Sequence, residues 1–325
     1  MDPLELAEIG KTGLKVSRLG VGGVAIGRTA TAEESDETLK RCVELGVRYF
    51  DTAPLYGGGV SEKRYGEVLS SIPRSSFTIS TKVGRLLEAP APTPVGAVIG
   101  PGGSSDMPYI YDYDTVMRVF EGSLKRLNLE NVDILLIHDP DSHFQEAMDG
   151  AYRALSELRS QGVVKAIGAG MNQWEMEARL AREGDFDCFL LAGRYTLLDH
   201  QALPEFLPLC QEKNISVIIG GPYNSGILAS DLTESATFNY VAAQPEVLDR
   251  ARRCKDVCDR HGVPLKAAAL QFVFGHPAVT AAIPGPRSAA EAEENFQMMA
   301  HSIPGALWEE LRHEGLIPAE AHTPA

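Results

Sequence analysis

Cysteine is sparse and unpatterned. The 325-residue chain has five, at positions 42, 188, 210, 254 and 258. An odd count without framework spacing excludes a disulfide scaffold and points to a reducing compartment. Cys254 and Cys258 are spaced to share a helix face, but no second ligand pair accompanies them, so they read as packed thiols rather than half a zinc site. Positive charge is also short: 30 Lys and Arg against 44 Asp and Glu give a net charge of −14. Such a surface repels a polyphosphate backbone and excludes nucleic acid as a partner, whereas a dinucleotide carries few charges and can be held by local amides and one or two arginines. No run of about 18 apolar residues exists, so no membrane span is expected. The first 21 residues lack the basic and then apolar stretches of a secretory signal, which makes a cytoplasmic location the expectation. Internal repeats, low-complexity blocks and an interdomain linker are absent as well.

What is present is a sizeable apolar fraction, 44%, arranged as short runs alternating with helix-like stretches. Strands are expected at 19–23, 49–53, 77–83, 133–139, 166–170, 188–195, 216–221 and 279–284. Several are continuous hydrophobic runs, such as Ile134-Leu135-Leu136-Ile137, suited to parallel strands buried on both faces. Helices are expected at 33–45, 62–69, 114–127, 145–161, 174–183, 203–213, 246–261 and 289–299. Eight strand–helix units in one domain, 1–325, predict a (β/α)8 barrel, which typically needs about 250 residues plus insertions. An open doubly wound sheet is the second choice, but Gly20, Gly22 and Gly23 lack the G-x-G-x-x-G spacing that would support it. Residues 8–16 read as a hairpin turning at 11–13 and closing the lower end of the barrel, within an N-terminal hairpin segment 1–17. The end of the chain, 318–325, is expected to fray.

Two stretches break the alternation: 86–113, rich in Pro and Gly and ending in Tyr109, Tyr111 and Tyr113, and 228–244, with Phe238 and Tyr240. Both follow strands, so they leave the C-terminal face where barrel enzymes keep their sites, and they are read as walls of a substrate pocket. Three strands end in titratable groups at that same face: Asp51-Thr52-Ala53-Pro54-Leu55-Tyr56-Gly57, Ser80-Thr81-Lys82, and Ile137-His138. A Tyr hydroxyl is idle as a base near neutrality, but a nearby ammonium lowers its pKa. An Asp beside the Lys keeps it charged and aimed, and a His at hydrogen-bond distance orients a carbonyl oxygen. Singly, each residue is as well explained by a cap, an ion pair or packing; together they make a catalytic set.

These segments resemble the tetrad motifs of the aldo-keto reductase superfamily. By that resemblance Tyr56 is the general acid/base, Lys82 tunes it, Asp51 partners Lys82 and His138 orients the substrate, with no metal. The segment 168–172, with Met171 and Asn172, resembles the strand whose Asn binds the nicotinamide carboxamide. The segment 220–228, containing Gly220, Pro222, Tyr223, Asn224, Ser225, Gly226 and Leu228, resembles the loop that wraps the pyrophosphate. Ile283, Gly285, Arg287, Glu291, Glu294 and Asn295 resemble the segment holding the adenosine half, and Gly22 and Gly23 are further candidates for cofactor contact. Tyr109, Tyr111 and Trp174 are the candidate substrate contacts.

Departures from the commoner reductase pattern narrow the expectation. Ala192 stands where many members have a Gln, and Gly220 or Gly221 where many have a stacking Tyr. Gly285 and Glu291 stand where NADP-preferring members carry Lys and Arg, which favours NAD over NADP. The segments 192–199 and 220–228 resemble the aldose 1-dehydrogenase branch, including L-fucose, L-galactose and D-threo-aldose dehydrogenases, with pyridoxal 4-dehydrogenase nearby. The implied reaction oxidises the anomeric hydroxyl of a sugar to a lactone with NAD+. Alternatives are pyridoxal oxidation, a general NADPH-dependent aldehyde or ketone reductase, a nicotinamide-sensing module, and a metal hydrolase built on His138-Asp139-Pro140-Asp141-Ser142-His143. The partners expected are a small sugar or aldehyde and, beyond that, a monomeric or homo-oligomeric state.

Overall fold

Each of the eight apolar runs forms a strand. The structure, a computed structural model, describes residues 1–87 and 107–324. In chain order the elements are β1 (Leu6–Glu8), β2 (Lys15–Ser17), β3 (Gly20–Gly22), α1 (Val24–Arg28), α2 (Ala32–Glu44), β4 (Tyr49–Asp51), α3 (Val60–Leu69), β5 (Thr78–Val83), α4 (Tyr113–Leu127) and β6 (Ile134–His138). Then come α5 (Phe144–Glu146), running through a π turn at Ala147–Tyr152 into α6 (Arg153–Ser160), β7 (Ala166–Met171), α7 (Trp174–Glu183), β8 (Cys188–Ala192), α8 (Phe206–Lys213) and β9 (Ser216–Gly220). The chain continues through β10 (Thr237–Phe238), β11 (Val241–Ala242), α9 (Pro245–Arg260), α10 (Leu265–Phe272), β12 (Val279–Ile283), α11 (Ala289–Ala300) and α12 (Gly305–His313).

Strands β3 to β9 and β12 pair in parallel as one eight-stranded sheet, ordered β12-β9-β8-β7-β6-β5-β4-β3. The two outer strands meet through a bridge from Leu19 to Ala282, with Ala282 N–H donating to the Arg18 carbonyl at 2.9 Å and Gly22 N–H to the Pro284 carbonyl at 3.0 Å. The sheet thereby closes into the expected (β/α)8 barrel with helices outside. Side chains alternate along each strand. Leu135, Ile137, Ile167 and Phe189 belong to the layer between strands and helices, whereas Tyr49, Ile134, Leu136, Leu190 and Ile218 form a second cluster inside the barrel. Ile9, Leu14 and Val16 of the N-terminal hairpin join that inner cluster, and Gly10 N–H donates to Ser216 Oγ at 2.8 Å, so the hairpin caps one end of the barrel.

Three helices escape the sequence reading: α1, α10 and α12. α1 has only five residues, too few to show a period, and seven of the eight residues of α10 are buried, which erases amphipathic contrast. The helix expected over 145–161 carries a π turn. The expected fraying past Pro318 does not occur over 318–324. Ala321 is buried, Arg312 donates to the Ala321 carbonyl and to Thr323 Oγ1, and the His322 ring lies edge-on to His276 at 5.4 Å. All five cysteines are buried and free. Among the described residues no helix is long and apolar enough to cross a membrane.

Candidate active site

The inward positions of β4, β5 and β6 dictate the site. On β4, Tyr49 points into the barrel and Asp51 follows two residues later; Ser80 and Lys82 of β5, and Leu136 and His138 of β6, repeat that spacing. Register sets Asp51 beside Ser80, Lys82 beside Leu136, and His138 beside Gly170 of β7. The alternation that buries apolar side chains in the lower layers thus delivers three titratable groups to the upper one.

Lys82 Nζ donates to both Asp51 oxygens, at 3.0 and 2.8 Å, and to the Thr52 carbonyl at 2.9 Å. Ser80 Oγ donates to Asp51 Oδ1 at 2.7 Å. Burial opposes the charge on Lys82, but the facing Asp51 carboxylate and the Tyr56 hydroxyl together outweigh it and hold the ammonium above its usual range. Tyr56 reaches in from the loop after β4; Lys82 Nζ lies 4.7 Å from its ring centroid, and the His138 ring packs edge-on to it at 5.9 Å.

Lys82 acts on the Tyr56 phenol in the direction expected, lowering its pKa, but burial acts more strongly. Burial pushes the phenol up to about 12; Lys82 pulls it down, but Asp51 behind the lysine pushes back. The phenol is therefore protonated at neutral pH. His138 is driven well below the usual histidine range by burial and then by the charges of Lys82, Arg85 and Arg28, so its imidazole is neutral.

Tyr56, Lys82 and His138 open onto one pocket. Its other walls include Arg28 of α1, Leu55, Tyr109, Asp139, Asp141, Met171, Asn172, Gln173, Leu190, Ala192 and Tyr240. Tyr109 and Tyr240 place the two long loops at this pocket as expected, although 88–106 of the first lies outside the described residues. Tyr240 sits at the tip of the β10–β11 hairpin, where it and Asn239 both have positive φ, 67° and 49°. Ser225 Oγ accepts from Tyr240 N–H at 2.9 Å, and Arg194 donates to Asn239 Oδ1 at 2.6 Å, pinning the tip over the pocket.

Two of the proposed substrate contacts are misplaced. Tyr111 is fully buried and its hydroxyl donates to the carbonyls of His138 and Asp139, at 2.7 and 2.8 Å; it clamps the end of β6 instead of facing the pocket. Trp174 starts α7 and packs against the outer core, and its neighbour Gln173 lines the pocket. Arg28, Asp139, Asp141 and Gln173 were not anticipated as pocket residues. Asp139 and Asp141 had a signal, since they closely follow His138; Arg28 comes from a short element after β3. His143 stacks on Tyr109 at 5.2 Å, and no cluster of three or more metal-ligating side chains occurs among the described residues.

The segments assigned to a dinucleotide lie along the barrel mouth. Asn172 lines the pocket, with Nδ2 donating to the Ala192 carbonyl at 2.7 Å. In the loop after β9, Gly221, Asn224, Ser225 and Gly226 all have positive φ, and a Cβ at Gly221 or Gly226 would meet nothing within 4 Å, so the loop presents bare backbone to open space. That fits a group recognised through amides. Several other candidates are engaged internally. Asn224 is buried and bonds Thr196 and the Gly193 carbonyl; the Leu228 and Ile283 side chains are in the core; Tyr223 donates to Asn295 Oδ1 at 2.8 Å; Lys266 pairs with Glu294. Gly22 and Gly23 are required by packing: a Cβ would meet the Ile283 carbonyl at 2.8 Å or Ser61 Oγ at 2.6 Å. Gly220 faces Leu190 and Ala192, and Gly285 lies beside the Gly22 carbonyl. Pro222 sits in the same loop after β9. Arg287 donates through Nε and Nη2 to Glu291 Oε1, and its N–H to Oε2 at 2.8 Å, so each charge is answered by the other.

Residues 18–313 match the sequence model of the Aldo/keto reductase family. The chain is 38% identical to pyridoxal 4-dehydrogenase of Microbacterium luteolum, covering 96% of this chain and 98% of that protein. It is 37% identical to D-threo-aldose 1-dehydrogenase of a Pseudomonas species, covering 94% and 96%. A solved aldo-keto reductase from Bacillus halodurans, in its holo form, superposes with a TM-score of 0.78 at 24% identity, over 98% of each chain, and shares the fold.

Proposed function

The chain belongs to the aldo/keto reductase family of oxidoreductases, and on that premise we propose that it oxidises the anomeric hydroxyl of an aldose to the lactone, with NAD+ as acceptor. The observation that carries the reading is the company Tyr56 and His138 keep: a pocket walled by Asp139, Asp141, Arg28, Gln173 and Asn172, with Tyr109 and Tyr240 among its other lining residues. Polar groups this dense suit a polyhydroxylated ligand and would be left without partners by a simple aldehyde.

The bound nicotinamide supplies the hydride acceptor. The protein supplies proton handling and position. Tyr56 takes the proton of the anomeric hydroxyl in oxidation and returns it in reduction. Lys82, kept charged by Asp51, stabilises the phenolate that oxidation consumes and reduction forms, and neutral His138 donates to the same substrate oxygen. Asn172 and the loop 221–226 would hold the cofactor. The Arg287–Glu291 pair supports NAD over NADP, because the segment 283–296 holds one arginine against Glu291, Glu293 and Glu294 and that arginine is already neutralised.

A second reading, oxidation of pyridoxal, is favoured by the 38% identical relative and by Tyr109 and Tyr240, whose rings suit a flat heteroaromatic. The test is reduced-cofactor formation by the purified protein with NAD+ or NADP+ against L-fucose, L-galactose, D-arabinose, L-xylose, D-glucose and pyridoxal. Turnover of a sugar with NAD+ supports the first reading. Turnover of pyridoxal alone moves the protein to the second, and NADPH-driven reduction of simple aldehydes with neither oxidation overturns both.

A further inference from the structure

Asp139 has no part in proton transfer, yet it lies against the reacting groups. It follows His138 at the end of β6 and takes a left-handed backbone, φ 48°, which is uncommon outside glycine but tolerated by Asp and Asn. That conformation is held from two sides: Asp139 N–H donates to the Gly170 carbonyl at 3.2 Å, and the buried Tyr111 hydroxyl bonds the carbonyls of both His138 and Asp139. The result turns the carboxylate into the pocket, where Asp139 Oδ2 stands 3.8 Å from His138 Nε2. That span is too long for a good hydrogen bond between them. It leaves each atom able to bond a separate ligand oxygen. Two residues on, Asp141 lines the same pocket, and its buried Oδ1 has no hydrogen-bond partner among the described residues.

We infer that Asp139 is the specificity-determining residue of this site, accepting a hydrogen bond from the hydroxyl on the carbon next to the reacting one while His138 bonds the reacting oxygen. The inference deepens the aldose reading and rests on the roles given there to Tyr56 and His138. Two oxygens on adjacent carbons span His138 Nε2 and Asp139 Oδ2, one each. The substrate class is therefore 2-hydroxy aldehydes and their cyclic hemiacetals, with Asp141 further along the wall for a more distant hydroxyl. A ligand without the 2-hydroxyl strands a mostly buried carboxylate, and a site built to bond a hydroxyl discriminates strongly against the analogue that lacks it.

Lactaldehyde and propanal differ only in that hydroxyl and can be compared as substrates for NADH-driven reduction. The unaltered protein should prefer lactaldehyde in kcat/KM by about ten- to a hundredfold, chiefly through KM. Asp139→Gly should bring the ratio close to one; Gly keeps the left-handed backbone and removes the acceptor, and circular dichroism with cofactor titration checks its fold. An unchanged ratio in the variant, or an equal fall in kcat for both aldehydes, which would mark a residue that merely positions His138, overturns the inference. Should the variant not fold, propane-1,2-diol must still inhibit the unaltered protein more tightly than propan-1-ol, and equal inhibition rejects the assignment. Sugar oxidation with no lactaldehyde preference leaves the aldose reading standing and removes Asp139. A clear preference without oxidation of any sugar does the reverse.

Discussion

Lys82 and Asp51 face each other inside the barrel with 1% and 2% of their side chains exposed, their charged atoms 2.8 and 3.0 Å apart. An ion pair this dry is expensive to break and cheap to replace whole: removing one partner leaves an unanswered buried charge costing about 3–5 kcal/mol, whereas an apolar pair of similar volume is often neutral. Lys82→Met should accordingly lower the unfolding free energy by that amount and abolish detectable turnover. Adding Asp51→Asn should restore most of the stability and none of the activity. Thermal and denaturant unfolding alongside steady-state kinetics would check both, and recovery of turnover in the double variant would remove Lys82 from the proton path.

The elevated phenol fixes a sign for pH dependence. With Tyr56 near 12, the protonated form needed for reduction dominates throughout the neutral range, and the phenolate needed for oxidation gains tenfold per pH unit below that value. Oxidative turnover should rise steadily from pH 6 to 10 by this argument, roughly tenfold per unit where proton transfer limits, while reductive turnover stays flat. Tyr56→Phe should bind cofactor normally and lose about a hundred- to ten-thousandfold in kcat in both directions. A flat oxidative profile would assign the proton elsewhere.

Glu291 restrains Arg287, and freeing the arginine should change cofactor choice. Glu291→Gln removes a carboxylate and releases a guanidinium beside the proposed adenosine site. NADP affinity should rise about ten- to a hundredfold relative to NAD. Titration of both oxidised cofactors by protein fluorescence reads the ratio directly; no change would place the ribose away from this pair.

Tyr240 holds its position against its own backbone preference. At φ 67° a bulky L-residue is strained, and glycine is not. Tyr240→Gly should stabilise the β10–β11 turn by roughly 1 kcal/mol in native-state hydrogen exchange while raising KM for the substrate. A variant with lower KM would show that the ring obstructs the pocket instead of completing it.

The sequence made the barrel legible because short apolar runs, several of them continuous as buried parallel strands require, alternate eight times with helix-like stretches. It made the tetrad legible because the inward alternation ends each of β4, β5 and β6 on a polar residue. The helices it missed carry no such contrast: α1 is short, and α10 is buried nearly all round. The pocket walls were hidden for another reason. Arg28 reaches the site from α1, 28 residues before Tyr56, a proximity set by the pairing of β3 with β4 and by a helix too short to show in the sequence. Tyr111 misled because an aromatic cluster beside a catalytic strand reads the same whether its hydroxyl faces a ligand or braces the backbone. The same holds for Asn224 and Leu228, where motif position pointed to the cofactor and the side chains serve the loop's own structure.

The bridge between Leu19 and Ala282 joins positions from opposite ends of the chain. A ribosome finishes β12 long after β3 to β9 have emerged, so for most of synthesis the sheet is an open ribbon with two bare edges. During that interval Gly22 has no Pro284 carbonyl to receive its N–H, and apolar edges are exposed to other chains. Contacts of such long range slow folding. Stalled or truncated chains lacking β12 should therefore be clients of chaperones and sources of aggregation, and the yield of active protein in a cell should depend on the last strand more than on any residue of the pocket.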